Sequence, residues 1–171
     1  MDMKSHTLFC SGKENGIREF GVVFVVDRAW KGKYLTFKAI NERIHISRIK
    51  TKFHNLSFIN VHASTKEKDE TDKKAFLQKM EEAYDICSSS NIKVLLRDLN
   101  AKTRREEIYW GLIWRHSINL NTNNNGQTWD FTAAKNVVVS STCYPHQEIH
   151  KLNWGSPDGK TNNPVDHIQI E

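Results

Sequence analysis

Residues 92–101 read IKVLLRDLNA, and this stretch is the most informative part of the 171-residue chain. An apolar run of strand length ends in Asp98 and Asn100. Positions i and i+2 of a β-strand point to the same side of a sheet, so a carboxylate and an amide are presented together. A buried carboxylate needs a partner, which a metal ion, a substrate or an activated water would supply. A turn is the alternative, because Asp and Asn side chains also bond the nearby backbone in turns.

The segments on either side of this strand show a mixture of strand and helix patterns. An apolar run predicts a buried strand at 20–26, three valines predict another strand at 137–139, and alternation predicts strands at 43–50 and 55–62. Helical spacing of apolar residues predicts a helix that includes 76–87.

Towards the end of the chain, residues 127–136 fit a short helix. Residues 151–154 and 165–170 look like two short strands joined by a turn at 156–159. Strands that alternate with occasional helices predict an α/β fold, with mixed β-sheets flanked by helices in a layered sandwich.

The composition limits the class of protein. A chain of 171 residues without repeats or a Pro- or Gly-rich linker is expected to form one domain. Its net charge of +5 favours a polyanionic partner such as nucleic acid. The basic residues are scattered in pairs, so a solvated surface is an equal alternative.

The cysteine content and the hydropathy bear on location. Cys10, Cys87 and Cys143 are an odd number without paired spacing, which argues against a disulfide framework and for a reducing compartment. The first ten residues contain no signal-peptide core, and no segment has the length and hydropathy of a membrane span. We therefore expect an intracellular protein of the nucleus or cytoplasm, without a membrane partner.

Polar residues recur at the ends of three predicted strands. They are Asn60 with His62, Asp98 with Asn100, and Asp166 with His167. Open α/β folds place their sites at the carboxyl ends of strands. Three such pairs in one chain favour a functional site over three unrelated turns.

The chemistry that suits these residues is phosphodiester cleavage assisted by Mg²⁺. Asp98 could orient or deprotonate the attacking water, and Asn100 could hydrogen-bond the charge that develops on the phosphoryl oxygens. His62 could act as a general acid or bind phosphate as an imidazolium. Taken alone, His62 is also consistent with a loop histidine bonded to backbone.

The order and spacing of several motifs resemble the endonuclease/exonuclease/phosphatase superfamily. The motifs are INVHA at 59–63, LRDLNA at 96–101, NW at 153–154 and VDH at 165–167, with NERI at 41–44 and SPDG at 156–159. The resemblance covers about 9–171. It is most evident to the apurinic-like endonuclease domain of non-LTR retrotransposons and to craniofacial development protein 2-like proteins.

This resemblance implies a four-layer α/β sandwich and a Mg²⁺-dependent phosphodiesterase that acts on DNA, without a small-molecule cofactor. It implies that Asp98 aligns the water and is the candidate Mg²⁺ ligand, that Asn100 supports the transition state, and that His62 contacts the phosphate. Asp166 matches the aspartate that supports the catalytic histidine. The resemblance further implies substrate contacts by Asn60, Arg43 and Trp154.

The chain also departs from the family pattern. Arg97 stands where the family has glycine, and this adds bulk and charge where the backbone is expected to come close to the site. Leu99 replaces phenylalanine and Ser64 replaces proline. Pro164 removes a ladder donor in the last motif.

Two family motifs find no counterpart in the sequence. The family's asparagine and main metal-binding glutamate would precede the matched region, and its Ser-Asp-His motif would follow Glu171. We therefore expect one domain over 1–171, incomplete at both termini, with weak or absent activity. The alternatives are a non-catalytic remnant that binds nucleic acid or protein, and the same fold acting on a small phosphate ester.

A second cluster competes as a metal site. Cys143, His146 and His150 have a spacing that could bind Zn²⁺, with Cys10 or His6 as a fourth ligand. Because a closed zinc site needs four ligands and no fourth has clear spacing, a structural loop is the favoured interpretation.

Overall fold

The computed structural model describes residues 5–11, 22–63, 69–98, 127–140, 143, 154–155, 162–163 and 166–171. The chain divides into two compact units. The first unit comprises Met1–His62 and Gln78–Leu95, and the second unit comprises Ala63–Leu77 and Leu96–Glu171. One helix and one strand each contribute to both units.

The elements of the first unit are mostly strands. They are β1 (His6–Ser11), β2 (Val22–Asp27), a 3₁₀ helix (Arg28–Lys33), β3 (Tyr34–Asn41), β4 (Ile44–Ile49), β5 (Leu56–His62), the end of α1 (Glu70–Ile86) and most of β6 (Ile92–Asp98). The second unit adds the start of α1, the end of β6, α2 (Gln127–Ala134), β7 (Val138–Val139), β8 (Trp154–Gly155), β9 (Asn162–Asn163) and β10 (Asp166–Ile170).

Strands β1 and β2 form an antiparallel two-stranded sheet, with Phe9 opposite Phe24. The prediction of a fully buried strand for the apolar run of β2 is wrong. Val22 and Val26 are buried, whereas Val23 and Val25 are 50% and 55% exposed. Successive side chains of a strand point to opposite faces, and in this strand only one of the two faces is covered.

In the first unit, the remaining strands lie in the order β3-β4-β5-β6, with β3–β4 and β4–β5 antiparallel. The alternation predicted for β5 is confirmed, since Ser57, Ile59 and Val61 are buried and the intervening residues are half-buried. The Ile92 N–H donates to the Asn55 carbonyl at 3.0 Å, which places the starts of β5 and β6 side by side.

Helix α1 connects β5 to β6, and its apolar stripe is confirmed as core. Met80, Ala83 and Tyr84 are buried, and so is Cys87 just after the last turn. No helix in the described part of the chain has both the length and the hydropathy needed to cross a membrane.

In the second unit, the end of β6, β10 and β7 are neighbours in that order, and β10 is antiparallel to β7. Helix α2 is followed by a turn in which Asn136 adopts the left-handed region at φ 52°, and the Val137 N–H donates to the Thr132 carbonyl at 3.0 Å. Glycine is the usual residue at such a left-handed position just after a helix, and asparagine is also found there. The side chains of Thr132 and Gln169, both buried, bond each other at 3.2 Å.

The predicted pairing of the strand at Trp154 with the strand at 165–170 is wrong. Trp154 pairs with Asn163 and Gly155 with Asn162, which forms a separate two-stranded sheet. Fewer residues separate β8 from β9 than separate β8 from β10, so pairing β8 with β9 costs less loop-closure entropy. Strand β10 instead pairs with β7. The predicted α/β fold with mixed sheets flanked by helices is confirmed.

Candidate functional site

The end of β5 is held against the start of β4 by a set of bonds around Arg43. The His62 N–H donates to the Arg43 carbonyl at 3.0 Å, and Arg43 Nη1 lies 3.5 Å from the His62 carbonyl oxygen. The Arg43 N–H also donates to Asn41 Oδ1 at 2.9 Å. Arg43 is buried and His62 is half-buried, and these bonds fix the two residues as a corner at the end of β5.

Asn60 lies two residues before this corner, on the same face of β5 as His62. Its Nδ2 donates to the Val23 carbonyl at 3.4 Å, so the amide reaches from β5 to β2. The structure therefore brings three predicted residues together: Asn60, His62 and Arg43.

The other predicted residues are placed through their backbone. Asp98 is the last residue of β6, Asp166 the first of β10 and Trp154 the first of β8. The strand that ends at Asp98 is therefore confirmed. The side chains of these three residues, and the whole of Asn100, lie outside the described part of the chain, so their roles stay predictions.

Arg97 is turned into the interior rather than towards solvent. It is 2% exposed, and its guanidinium lies 4.9 Å from the ring centroid of Phe131 in α2. None of its three nitrogens has a hydrogen-bond partner among the described residues. Burial lowers the pKa of Arg97 to about 9, so the group is still charged at pH 7. The charge that the sequence placed beside the site is accommodated by packing against α2.

Two further polar residues were missed by the sequence reasoning. Lys93 is buried, with its Nζ 4.3 Å from the Tyr84 ring centroid. His45 is fully buried, opposite Asn60 in the β4–β5 pairing, and its ring is close to those of Phe24 and Phe37. The strict alternation of His45 with Ile44 and Ile46 is the signal that placed it within a strand.

The described side chains do not by themselves form a metal site. Among them, no three His, Cys, Asp or Glu residues come together. Cys143 Sγ lies 3.6 Å from the Val139 carbonyl, and burial raises the pKa of this thiol. His146 and His150 lie outside the described residues, so a zinc site there stays a prediction.

The chain shares its fold with several proteins of known structure. It is similar to the endonuclease domain of TRAS1, a telomere-specific non-LTR retrotransposon, with TM-score 0.64, 10% identity and coverage of 98% of this chain and 67% of that one. It is also similar to an endonuclease/exonuclease/phosphatase family protein from Leptotrichia buccalis, with TM-score 0.57, 14% identity and coverage of 96% of this chain and 58% of that one. A third similar structure is D. rerio TDP2 complexed with a single-strand DNA product, with TM-score 0.57, 12% identity and coverage of 98% of this chain and 62% of that one. The chain thus has the endonuclease/exonuclease/phosphatase fold.

The sequence comparison gives a narrower similarity. Craniofacial development protein 2 of Tragulus javanicus and of Bos taurus are 23% and 22% identical to the chain over 168 residues. These matches cover 98% of the chain but only 29% and 28% of the two relatives, so it spans less than a third of their length. No protein-family model matches the sequence. The resemblance inferred from the motifs is confirmed.

Proposed function

We propose that the chain is a retrotransposon-derived, endonuclease-like phosphodiesterase module that acts on DNA, with weak or no activity in the 171 residues alone. The observation that carries this proposal is the Arg43–His62 corner, which fixes His62 at the end of β5. The fold and the net charge of +5 support it.

Each residue has a definite role in the proposal. His62, held through its backbone by Arg43, binds a phosphate oxygen or donates a proton to the leaving group. Arg43 acts through His62, because its guanidinium points to the His62 carbonyl. Asp98 orients the attacking water, and Asn100 bonds the charge on the phosphoryl oxygens.

The remaining roles follow the family pattern. Asn60 lines the substrate side of β5, Trp154 contacts the substrate, and Asp166 supports a catalytic histidine. These roles rest on the motifs, together with the positions of the three residues within β5, β8 and β10.

A single carboxylate explains why the activity is weak. The oxygen donors of Asp98 and Asn100 are of the type that Mg²⁺ prefers. When bound, Mg²⁺ supplies positive charge to the phosphoryl group and activates a water. With Asp98 as the one proposed carboxylate ligand, the protein would hold Mg²⁺ through few of its own oxygens, and its affinity for the ion would be low.

The alternative is a non-catalytic module that binds nucleic acid or protein. The substitutions on both sides of Asp98 favour it, since Arg97 and Leu99 replace the family's glycine and phenylalanine. Arg97 packs against Phe131 through a bulky side chain that a glycine would lack, which constrains the end of β6.

Nicking of supercoiled plasmid by the purified chain tests the proposal, with Mg²⁺ and with chelator, beside hydrolysis of p-nitrophenyl phosphate. Asp98→Ala removes the proposed ligand, and Asp130→Ala is the matched control because Asp130 is an exposed carboxylate of α2. We expect slow Mg²⁺-dependent nicking that Asp98→Ala abolishes and Asp130→Ala leaves intact.

Other outcomes separate the alternatives. Nicking that Asp98→Ala leaves unchanged contradicts the assigned site. Rapid p-nitrophenyl phosphate hydrolysis without nicking would show that the substrate is a small phosphate ester and not DNA. DNA binding without any nicking shows that the 171 residues alone are inactive and favours the non-catalytic module.

A further inference from the structure

A basic and aromatic surface lies at the end of β4 opposite the Arg43–His62 corner. Between Arg28 and His54 the sequence has eight Lys or Arg residues and one acidic residue, Glu42, which is in the turn next to Arg43. We define the basic–aromatic surface as Trp30, Lys33, Lys50, Lys52 and Phe53. All five are exposed and belong to the first unit.

Two aromatic rings on this surface are exposed beside lysines. Phe53 is 82% exposed, with Lys52 Nζ 5.2 Å from its ring centroid. Trp30 is 45% exposed, with Lys33 Nζ 4.7 Å from its ring centroid. Exposing large rings to water is unfavourable, and the same ring-with-lysine pair occurs twice.

A backbone hydrogen bond joins the two segments that carry the ring-with-lysine pairs. The Lys50 N–H donates to the Lys33 carbonyl at 2.7 Å, which connects the end of β4 to the end of the 3₁₀ helix. The loop that carries Phe53 is fixed by a bond from Thr51 Oγ1 to the His54 carbonyl and by a contact of 3.4 Å between His54 Nδ1 and the Ser90 carbonyl oxygen. The two rings are therefore presented from anchored backbone.

We propose that the basic–aromatic surface binds single-stranded nucleic acid, with bases stacked on Phe53 and Trp30 and phosphates bound by the adjacent lysines. Single strands are the favoured partner because stacking on a side chain requires an unpaired base, and such sites combine aromatic rings with basic residues. A run of positive charge with one acidic residue complements a phosphate backbone.

This surface is separate from the proposed site of cleavage. Strand β4 begins after Arg43 and ends before Lys50. At about 3.4 Å per residue, roughly 20 Å separates the two ends. Binding at the basic–aromatic surface therefore needs neither Mg²⁺ nor Asp98.

Fluorescence anisotropy with two labelled 15-mers, oligo(dT) and an abasic phosphodiester of equal length, tests the proposal in chelator. We expect Phe53→Ala to weaken oligo(dT) binding about fivefold or more and to leave the abasic 15-mer unchanged, because one stacked base is lost. Lys52→Ala should weaken both probes and lower the salt dependence of binding by about 0.7 in log–log slope. Lys74→Ala, an exposed lysine of α1, is the charge-matched control and should change binding less than twofold.

Several results would overturn the proposal. Equal losses with Lys74→Ala and Lys52→Ala would show diffuse charge attraction. An unchanged oligo(dT) affinity in Phe53→Ala would show that no base stacks on Phe53. Binding of phosphatidylserine vesicles instead of oligo(dT) would show that the surface binds lipid. Loss of oligo(dT) binding in Asp98→Ala but not in Phe53→Ala would show that the DNA binds at the proposed cleavage site. The nicking assay measures the activity of that site independently.

Discussion

Acidification should destabilise the protein through His45. This residue is fully buried, and neither ring nitrogen has a hydrogen-bond partner among the described residues. Its imidazole centroid lies 5.0 Å from the ring of Phe37 and 6.0 Å from that of Phe24. Burial lowers the pKa of His45 to about 4, because the charged form loses its hydration among aromatic side chains.

The direction and size of the effect follow from the two protonation states. The unfolded chain binds the proton near pH 6.5, whereas the folded chain binds it only near pH 4. The stability contributed by neutral His45 is therefore complete above pH 6.5 and is lost as the pH falls towards 4. The free energy of unfolding drops by about 2 kcal/mol between pH 8 and pH 5, and by about 3 kcal/mol at pH 4.

Urea unfolding at pH 8 and pH 5, followed by circular dichroism, measures this loss. His45→Leu keeps the volume and removes the titrating group, so its loss between the two pH values should be about 2 kcal/mol smaller than that of the parent chain. At pH 8 this substitution should leave the free energy of unfolding unchanged or raise it, because it removes two buried nitrogens that have no hydrogen-bond partner among the described residues. His54→Gln, at an exposed histidine, should keep the parent's dependence. An identical pH dependence in His45→Leu and the parent would refute the reasoning.

Three further outcomes are expected from the same structure. Arg97→Met should raise the free energy of unfolding by about 1 kcal/mol or more in urea titrations, because an apolar chain replaces a buried cation that has no hydrogen-bond partner among the described residues; a loss of that size would mean that the guanidinium has an acceptor. Asn136→Val should lower it by about 1–2 kcal/mol while Asn136→Gly changes little, since φ is 52°; equal effects of the two would remove the backbone explanation. Native maleimide labelling followed by mass spectrometry should modify exposed Cys10 well before Cys87, which is buried and lies 3.4 Å from the Ala83 carbonyl; equal rates would contradict the burial.

The candidate site was predictable where it lies within single strands. The alternation of β5 placed Asn60 and His62 on one face, and the apolar run before Asp98 placed that residue at a strand end. The sequence did not indicate that Arg43 bonds the His62 carbonyl, because that contact joins residues far apart in the chain. It also did not show that the Arg97 charge is taken up by Phe131 of α2.

The sequence by itself determined β5 and α1 through their strong periodicity, and it predicted β6 from an apolar run and α2 as a short helix. A repeat of two or of 3.6 residues fixes both the element and its buried face through local backbone geometry. The tertiary structure decided which strands pair, as in β8 with β9, and which face of β2 stays exposed. It also brought Lys33 next to Lys50, which created the basic–aromatic surface. Pairing depends on contacts between residues far apart in the chain, and local periodicity does not encode them.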